Sequence, residues 1–141
     1  MVDRDKASRL LHELTACLAD LRRYRVRVTR EELNTVRDTQ HMVLRALYVA
    51  AQAAVDLAMH LGADAGLPPT ATYQDAFRRL ADADLLERDL AERLAAWAGF
   101  RNVLAHFYAS VDYDRAYDAL SEIGDLERLA AVAATRVDAA D

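Results

Sequence analysis

The sequence predicts an all-α fold, an antiparallel bundle of about five helices with no strand. Apolar residues recur three and four positions apart along most of the chain, which is the spacing of one helix face. Apolar residues make up 53% of the 141 residues and charged residues 29%, with only two prolines and four glycines. This composition is typical of a globular, helix-rich domain rather than of a disordered chain.

The first two predicted helices fill the first sixty residues. Helix 1 covers about residues 4–24, and its apolar face is Leu10, Leu14, Cys17, Leu18, Leu21 and Tyr24. Thr29 with Glu32 forms a capping-box pattern that opens helix 2, which is expected to run to about His60. Its long apolar face predicts packing along a near-parallel partner helix.

A glycine- and proline-containing segment, residues 62–69, is the clearest break in the chain and ends helix 2. After it, Thr72 with Asp75 is expected to start a short helix 3 that ends near residue 81. This helix is the shortest of the five predicted.

Two longer helices complete the predicted bundle. Asp84 with Glu87 forms a capping pair that is expected to open helix 4, and Asp112 is expected to cap helix 5. Gly124 lies inside helix 5, where glycine costs about 1 kcal/mol, so it is expected to mark a tight crossing or a kink. The tail after Arg136 is expected to fray.

The chain is expected to form one domain, residues 1–141, since no repeat or linker divides it. Its charged start lacks the apolar segment of a signal peptide. The longest apolar zone, residues 43–61, does not predict a membrane span because it contains Arg45, Gln52 and Asp56. The lone Cys17 is expected to be an inert core residue of a reducing compartment. Together these features predict a cytoplasmic protein.

Charge is unevenly distributed along the chain. The net charge of −5 argues against a protein that coats nucleic acid, which would normally be basic. Five arginines nevertheless fall within nine residues with no acid between them: Arg22, Arg23, Arg25, Arg27 and Arg30. They form either a solvated helix end, where cations complement the helix dipole, or a patch that contacts phosphate.

Residues 101–108 carry the strongest chemical pattern in the sequence. Arg101 supplies a permanent cation, His106 a group that titrates near neutrality, and Tyr108 a phenolic hydroxyl. Cleavage of a phosphodiester without a metal needs a cation for the charge on phosphorus and a group that moves protons. This segment is therefore the candidate catalytic site.

The arrangement Arg-x4-His-x-Tyr resembles the signature of HEPN-domain ribonucleases, and more narrowly that of HepT-like toxins from HepT–MntA toxin–antitoxin systems. Residues 90–102, 69–77 and 52–58 are also similar to that family, so the resemblance covers about residues 40–115. The Arg-x4-His core alone would be a weak signal, because it recurs by chance in helices. Three similar segments in the same order make it specific.

The resemblance implies a HEPN-type bundle that acts as a symmetric dimer and as the toxin of a type VII toxin–antitoxin system. It implies an endoribonuclease whose substrate is RNA and whose partner is an MntA-like minimal nucleotidyltransferase antitoxin. In the family, that partner adds AMP units to the tyrosine that corresponds to Tyr108. A polyanionic adduct there would block RNA and cancel local positive charge.

Helix geometry predicts which side chains of the motif are neighbours. Arg101 and Tyr108 are seven residues apart and lie within about 20° of each other around a continuous helix. Asn102 and His106 are stacked at i, i+4. Both pairs are expected to be neighbours unless the helix ends near Ala105. Asn102 is expected to orient His106 or to contact phosphate.

Stoichiometry favours a dimer, because one chain supplies one histidine at this site and transesterification profits from both a base and an acid. His106 is expected to activate the 2′-hydroxyl, and Arg101 to stabilise the pentavalent phosphorus. The second His106, or a water, would protonate the leaving 5′-oxygen. No metal takes part in this scheme.

The other polar residues are weaker candidates for a functional role. Arg45, Gln52 and Asp56 form a stripe on helix 2 that is either a solvent face or a support for Arg101, with Asp56 as its salt-bridge partner. His12, His41 and His60 have no companions at metal-ligand spacing, so neither a metal nor a cofactor is predicted. Most aromatic residues are expected in the core, namely Tyr73, Phe77, Trp97, Phe100 and Tyr113. Phe107, inside the motif, is the exception.

Three functions remain open from the sequence. The first is the ribonuclease toxin; the second is a non-catalytic HEPN-type module that docks a nucleotidyltransferase and helps to bind nucleotide or substrate. The third is an inert helical interaction protein, supported only by the acidic net charge. The presence of Arg101, His106 and Tyr108 together favours the enzyme, because a docking domain has no need of all three.

Overall fold

The computed structural model describes residues 4–139, and within them the prediction of an all-α bundle is confirmed. These residues contain seven α-helices and one 3-10 turn, and no strand. The helices are α1 (Arg4–Arg27), α2 (Arg30–Thr35), α3 (Arg37–Asp64), α4 (Tyr73–Asp82), α5 (Arg88–His106), α6 (Tyr113–Leu120) and α7 (Gly124–Ala139), and the 3-10 turn is Tyr108–Ser110. Seven helices replace the expected five because two predicted helices are each divided in two.

Helix α3 is the central element of the bundle, and it packs against each of the other six helices. By length and composition alone it is apolar enough to cross a membrane, but 61% of that stretch is buried inside the bundle. Its fully buried small residues allow neighbouring helices to approach closely: Ala50, Ala54 and Ala58. Helix α3 therefore serves as the core helix, and its remaining polar face is where the candidate site is built.

The prediction of one continuous helix from Thr29 to about His60 is wrong. The Thr29 cap is present, since its hydroxyl accepts a hydrogen bond from the Glu32 N–H at 3.1 Å. The backbone then becomes extended at Val36, with φ −104° and ψ 113°, and α3 begins at the next residue. Arg30 binds two carboxylates of α6, at 3.0 Å and 2.8 Å, which connects the short α2 to α6.

The predicted capping pair of helix 4 is also wrong. Asp84 has a φ of 60° and belongs to the turn after α4, a left-handed conformation that aspartate tolerates better than most residues. Glu87 is the residue before α5, but its side chain forms no cap and instead accepts a hydrogen bond from Arg128 of α7 at 2.8 Å. Helix α5 therefore begins at Arg88, four residues later than Asp84.

Predicted helix 5 is interrupted by a turn at residues 121–123 and continues as α7 from Gly124. Gly124 is therefore the first residue of α7 and not an interior residue at the expected tight crossing or kink. The Asp112 cap is present, with its carboxylate accepting from Asp114 N–H at 2.9 Å. Helix α7 extends to Ala139, so the expected fraying after Arg136 does not occur within the described residues.

Substitution of Gly62 by alanine is expected to lower the stability of the bundle. A methyl group at this buried position would overlap the guanidinium of Arg79, which donates to the backbone oxygens of Pro68 at 2.5 Å and Met59 at 3.1 Å. Losing charged hydrogen bonds costs about 1.5–3 kcal/mol, against a gain in helix propensity of about 1 kcal/mol. We expect a net loss of about 1 kcal/mol in the free energy of unfolding, measured by denaturant titration.

Gly124→Ala is the matched control for this substitution. Nothing lies within 4 Å of the position of its added methyl group, at the first residue of α7. Its stability is expected to rise by about 0.4–1 kcal/mol because the unfolded chain loses freedom. Equal effects of the two substitutions would contradict the role given to Arg79.

Candidate active site

Arg101 lies in the last two turns of α5 and is fixed by the polar face of α3. Its Nε donates to Oε1 of Gln52 at 2.6 Å, and Nε2 of Gln52 donates to Oδ1 of Asp56 at 2.9 Å. All three side chains are half-buried. For Gln52 and Asp56 the structure favours a support for Arg101, whereas Arg45, the third residue of the stripe, is exposed. The expected direct salt bridge between Arg101 and Asp56 is not formed, because the Gln52 amide lies between them.

Two tyrosine rings face the Arg101 guanidinium. The guanidinium carbon lies 5.1 Å from the ring centroid of Tyr73 and 5.7 Å from that of Tyr48, within the range of cation–π attraction. Nη1 donates to Oδ1 of Asn102 at 3.0 Å, and within the described chain Nη2 makes no hydrogen bond. The Arg101 guanidinium is thus held on two sides and keeps one nitrogen for an external acceptor.

Asn102 does not have the role expected from its spacing to His106. Its side-chain oxygen accepts the bond from Arg101, and no hydrogen bond joins it to His106 in the part of the chain described. The long Arg101 side chain brings Nη1 within hydrogen-bonding distance of the adjacent residue. Asn102 therefore positions Arg101.

His106 is the last residue of α5 and is exposed. Phe107 ends the helix with φ −128° and ψ 34°, and Tyr108 begins the 3-10 turn. Tyr108 consequently does not stack above Arg101, as it would on a continuous helix. Arg101 and Tyr108 were expected to be neighbours only on a helix that does not end near Ala105, and α5 ends at His106.

Tyr108 instead contacts His41, on the second turn of α3. Nδ1 of His41 lies 3.4 Å from the Tyr108 hydroxyl, and the two rings are nearly parallel, with centroids 6.4 Å apart and an interplanar angle of 11°. Sequence reasoning considered His41 only as a metal ligand. A step of four residues from His41 reaches Arg45, and a further step of seven reaches Gln52, so helical spacing alone placed His41 on the same face as the polar stripe.

A shallow depression of about 360 Å³ lies beside Tyr108. It is lined by Arg45, Tyr48, Leu104, Ala105 and Tyr108. Arg45 also lines a second depression, which contains His41. Arg45 is exposed, and no carboxylate of the described residues forms an ion pair with it.

The arginine cluster of residues 22–30 is largely neutralised by ion pairs. Arg22 binds Glu127 at 2.6 Å, Arg23 binds Asp20 at 2.7 Å, and Arg30 binds both Asp114 and Asp118. The hydrogen bonds from Arg30 and Asn34 hold the pKa of the Asp114 carboxyl below its usual range. Of these five arginines, Arg25 and Arg27 are exposed and form no ion pair in the described chain. This favours the solvated helix end over the phosphate patch.

The predicted aromatic core is present in part. Phe77, Trp97 and Phe100 are buried, whereas Tyr73 is half-buried against Arg101 and Phe107 is 62% exposed beside the motif. Cys17 is half-buried, and burial raises the pKa of its thiol, as expected of an unreactive cysteine. Within the described residues, no group of three His, Cys, Asp or Glu side chains could hold a metal ion.

Several solved structures share this fold. A toxin–antitoxin crystal structure with AMP-PNP has a TM-score of 0.81 and 20% identity, covering 91% of this chain and 96% of that one. The tri-AMPylated Shewanella oneidensis HEPN toxin in complex with MNT antitoxin has a TM-score of 0.80 and 21% identity, covering 94% and 97%. YutE, a cytosolic Bacillus subtilis protein of unknown function, has a TM-score of 0.84 and 14% identity, covering 98% and 92%. The bundle is therefore a HEPN-type fold.

Comparison with curated protein sequences found no match. The family described as Ribonuclease HepT-like matches residues 14–133, a range that holds α3, α5, the Arg101–His106–Tyr108 motif and every contact of Arg101 described above. The chain belongs to the HepT-like ribonuclease family.

Proposed function

We propose that this chain is the toxin of a type VII toxin–antitoxin system and a metal-independent endoribonuclease. The observation that carries the proposal is the setting of Arg101. Gln52 and Asn102 fix its guanidinium, one nitrogen remains for a phosphate oxygen, and His106 ends the same helix five residues later. This combination suits phosphodiester cleavage, in which a fixed cation stabilises the negative charge that develops on the phosphoryl oxygens in the transition state.

The reaction is an in-line transesterification. His106 accepts the proton of the 2′-hydroxyl, the 2′-oxygen attacks phosphorus, and Arg101 stabilises the pentavalent transition state. The bond from phosphorus to the 5′-oxygen breaks, and that oxygen takes a proton from the second His106 of a dimer or from water. The products are a 2′,3′-cyclic phosphate and a 5′-hydroxyl.

A symmetric homodimer would complete the site by bringing two copies of the end of α5 together. Val103 is 40% exposed and Phe107 is 62% exposed, on either side of His106. Exposed apolar side chains next to a polar site are suited to contact with a second copy. The dimer would then supply two histidines and two arginines to one RNA backbone.

The proposed partner is an MntA-like nucleotidyltransferase antitoxin that adds AMP units to Tyr108. The Tyr108 side chain is 40% exposed and lies two residues from His106. A chain of AMP at that position would place several negative charges where RNA must bind. Two solved structures that share the fold contain toxin and antitoxin together, and one of them carries an AMPylated toxin. Such a system would act in the cytoplasm.

Purified protein is expected to cut total and transfer RNA in the presence of EDTA, leaving cyclic phosphate ends. His106→Ala should reduce the rate by about 10²- to 10⁴-fold, the usual contribution of a general base. His12→Ala is the control, because His12 is an exposed histidine of α1. Cleavage that survives intact in His106→Ala would overturn the assignment. No cleavage by unmodified wild type would favour the docking module.

Modification of Tyr108 is expected when the chain is expressed with its nucleotidyltransferase. The intact mass should rise by whole AMP units, and Tyr108→Phe should stay unmodified because it lacks the hydroxyl. Growth of the host measures the consequence, since Tyr108→Phe should remain toxic beside the transferase. Recovery of unmodified wild type from such cells would contradict this part of the proposal.

A further inference from the structure

The contact between His41 and Tyr108 has no role in RNA cleavage as proposed above. The two residues are 67 positions apart and come from different helical segments, yet Nδ1 faces the hydroxyl at 3.4 Å. Both side chains are exposed, so burial does not force them together. A contact between a base and an accessible phenol is the arrangement that activates a hydroxyl nucleophile, and such contacts are often long before substrate binds.

Arg45 adds the third part of this arrangement. It lies one helical turn after His41 on α3 and lines the same depression as Tyr108. It is exposed and has no ion pair within the described chain, unlike Arg22 and Arg30. A free guanidinium beside a nucleophile is suited to a phosphate, which it can bind through two parallel hydrogen bonds.

We propose that His41 is the general base for Tyr108 and that Arg45 binds the phosphate that Tyr108 receives. The toxin thereby supplies part of the catalytic machinery for its own AMPylation, and the transferase supplies ATP and positions it. This inference rests on the proposed modification of Tyr108. It is independent of the ribonuclease activity.

The chemical step balances with ATP as co-reactant. The Tyr108 oxygen attacks the α-phosphorus of ATP while its proton passes to Nδ1 of His41, which must be in the tautomer with hydrogen on Nε2. The bond from the α-phosphorus to the bridging oxygen breaks, and pyrophosphate leaves with the electron pair. Arg45 carries the charge on the α-phosphate oxygens during the transfer.

Two reagents that need no transferase test the two roles separately. N-acetylimidazole is a neutral reagent that acetylates tyrosine, and adenosine 5′-phosphorimidazolide transfers AMP with a charged phosphate. Peptide mass spectrometry gives the labelling rate at Tyr108, and the other five of the six tyrosines serve as internal references. The variants are His41→Asn, His41→Ala and Arg45→Ala, with His12→Ala as the control.

We expect Tyr108 to be the fastest tyrosine in wild type with both reagents. Both His41 variants should slow Tyr108 by about tenfold or more with both reagents, because proton removal is lost. Asparagine keeps a hydrogen-bond acceptor near the Nδ1 position. If His41 only positioned Tyr108, the labelling rate of Tyr108 would therefore stay high in His41→Asn. Arg45→Ala should slow only the phosphorimidazolide, because the neutral reagent has no phosphate for Arg45 to bind.

Three results would overturn the proposal. Wild-type Tyr108 that reacts no faster than the other tyrosines would mean that no activated nucleophile exists. An unchanged labelling rate of Tyr108 in His41→Asn would show that His41 is not the base. An equal effect of Arg45→Ala on both reagents would show that Arg45 does not bind the phosphate. Unchanged labelling of the reference tyrosines shows that each variant is folded. RNA cleavage by the same wild-type preparation tests the ribonuclease separately.

Discussion

Replacement of Arg101 by lysine is expected to reduce RNA cleavage by about 10²- to 10³-fold, close to the loss in Arg101→Ala. Lysine keeps the positive charge but has no Nε–H with which to bond Gln52 and no planar fork to hold between the rings of Tyr48 and Tyr73. A cation that is not held in place must move into position as the transition state forms, and this lowers the rate. The rate at saturating RNA, in EDTA, measures the effect for both variants.

Arg93→Lys is the matched control for this experiment. Arg93 lies two turns earlier on α5, is exposed, and donates through its own Nε to Asp125 at 2.8 Å. Its replacement makes the same chemical change on the same helix, outside the candidate site, so cleavage should stay near the wild-type rate. Wild-type cleavage by Arg101→Lys would mean that charge alone suffices, and that the Gln52 contact has no catalytic importance.

The sequence predicted the helical content because helices depend on local spacing and capping, which a single chain displays. Thr29, Thr72 and Asp112 cap helices as expected, since each hydroxyl or carboxylate needs only a backbone N–H two or three residues away. The break at Val36 was missed because neither glycine nor proline marks it in the sequence. It accompanies ion pairs between Arg30 and carboxylates more than eighty residues later.

The candidate site was likewise predicted only where the signal is local in sequence. Arg101, His106 and Tyr108 were found because their types and spacing carry chemical meaning within eight residues. Their neighbours in the structure were not predicted, because α5 ends at His106 and Tyr108 then contacts another helix. His41 has ordinary neighbours in sequence, and only the packing of α3 beside the end of α5 brings it to Tyr108.

Substitution of Gln52 by glutamate is expected to reduce cleavage by about tenfold to a hundredfold. The Gln52 amide has a fixed orientation, since its oxygen faces the Arg101 donor and its nitrogen faces the Asp56 carboxylate. A carboxylate there would bind Arg101 as an ion and compete with the scissile phosphate for its charge. Hydrogen bonds to charged groups contribute about 1.5–3 kcal/mol, which corresponds to the expected loss. The rate at saturating RNA and the KM for RNA are both measured.

The second variant, Gln52→Glu with Asp56→Asn, separates two causes of that loss. The single substitution places two carboxylates next to each other, and their repulsion could displace Arg101 without any competition for its charge. In the double variant the asparagine amide donates to the new carboxylate, so repulsion is gone while Arg101 remains neutralised. Cleavage should therefore stay low. Recovery to the wild-type rate would show that Gln52 acts by keeping Asp56 at a distance, and that the charge of Arg101 is not what limits the reaction.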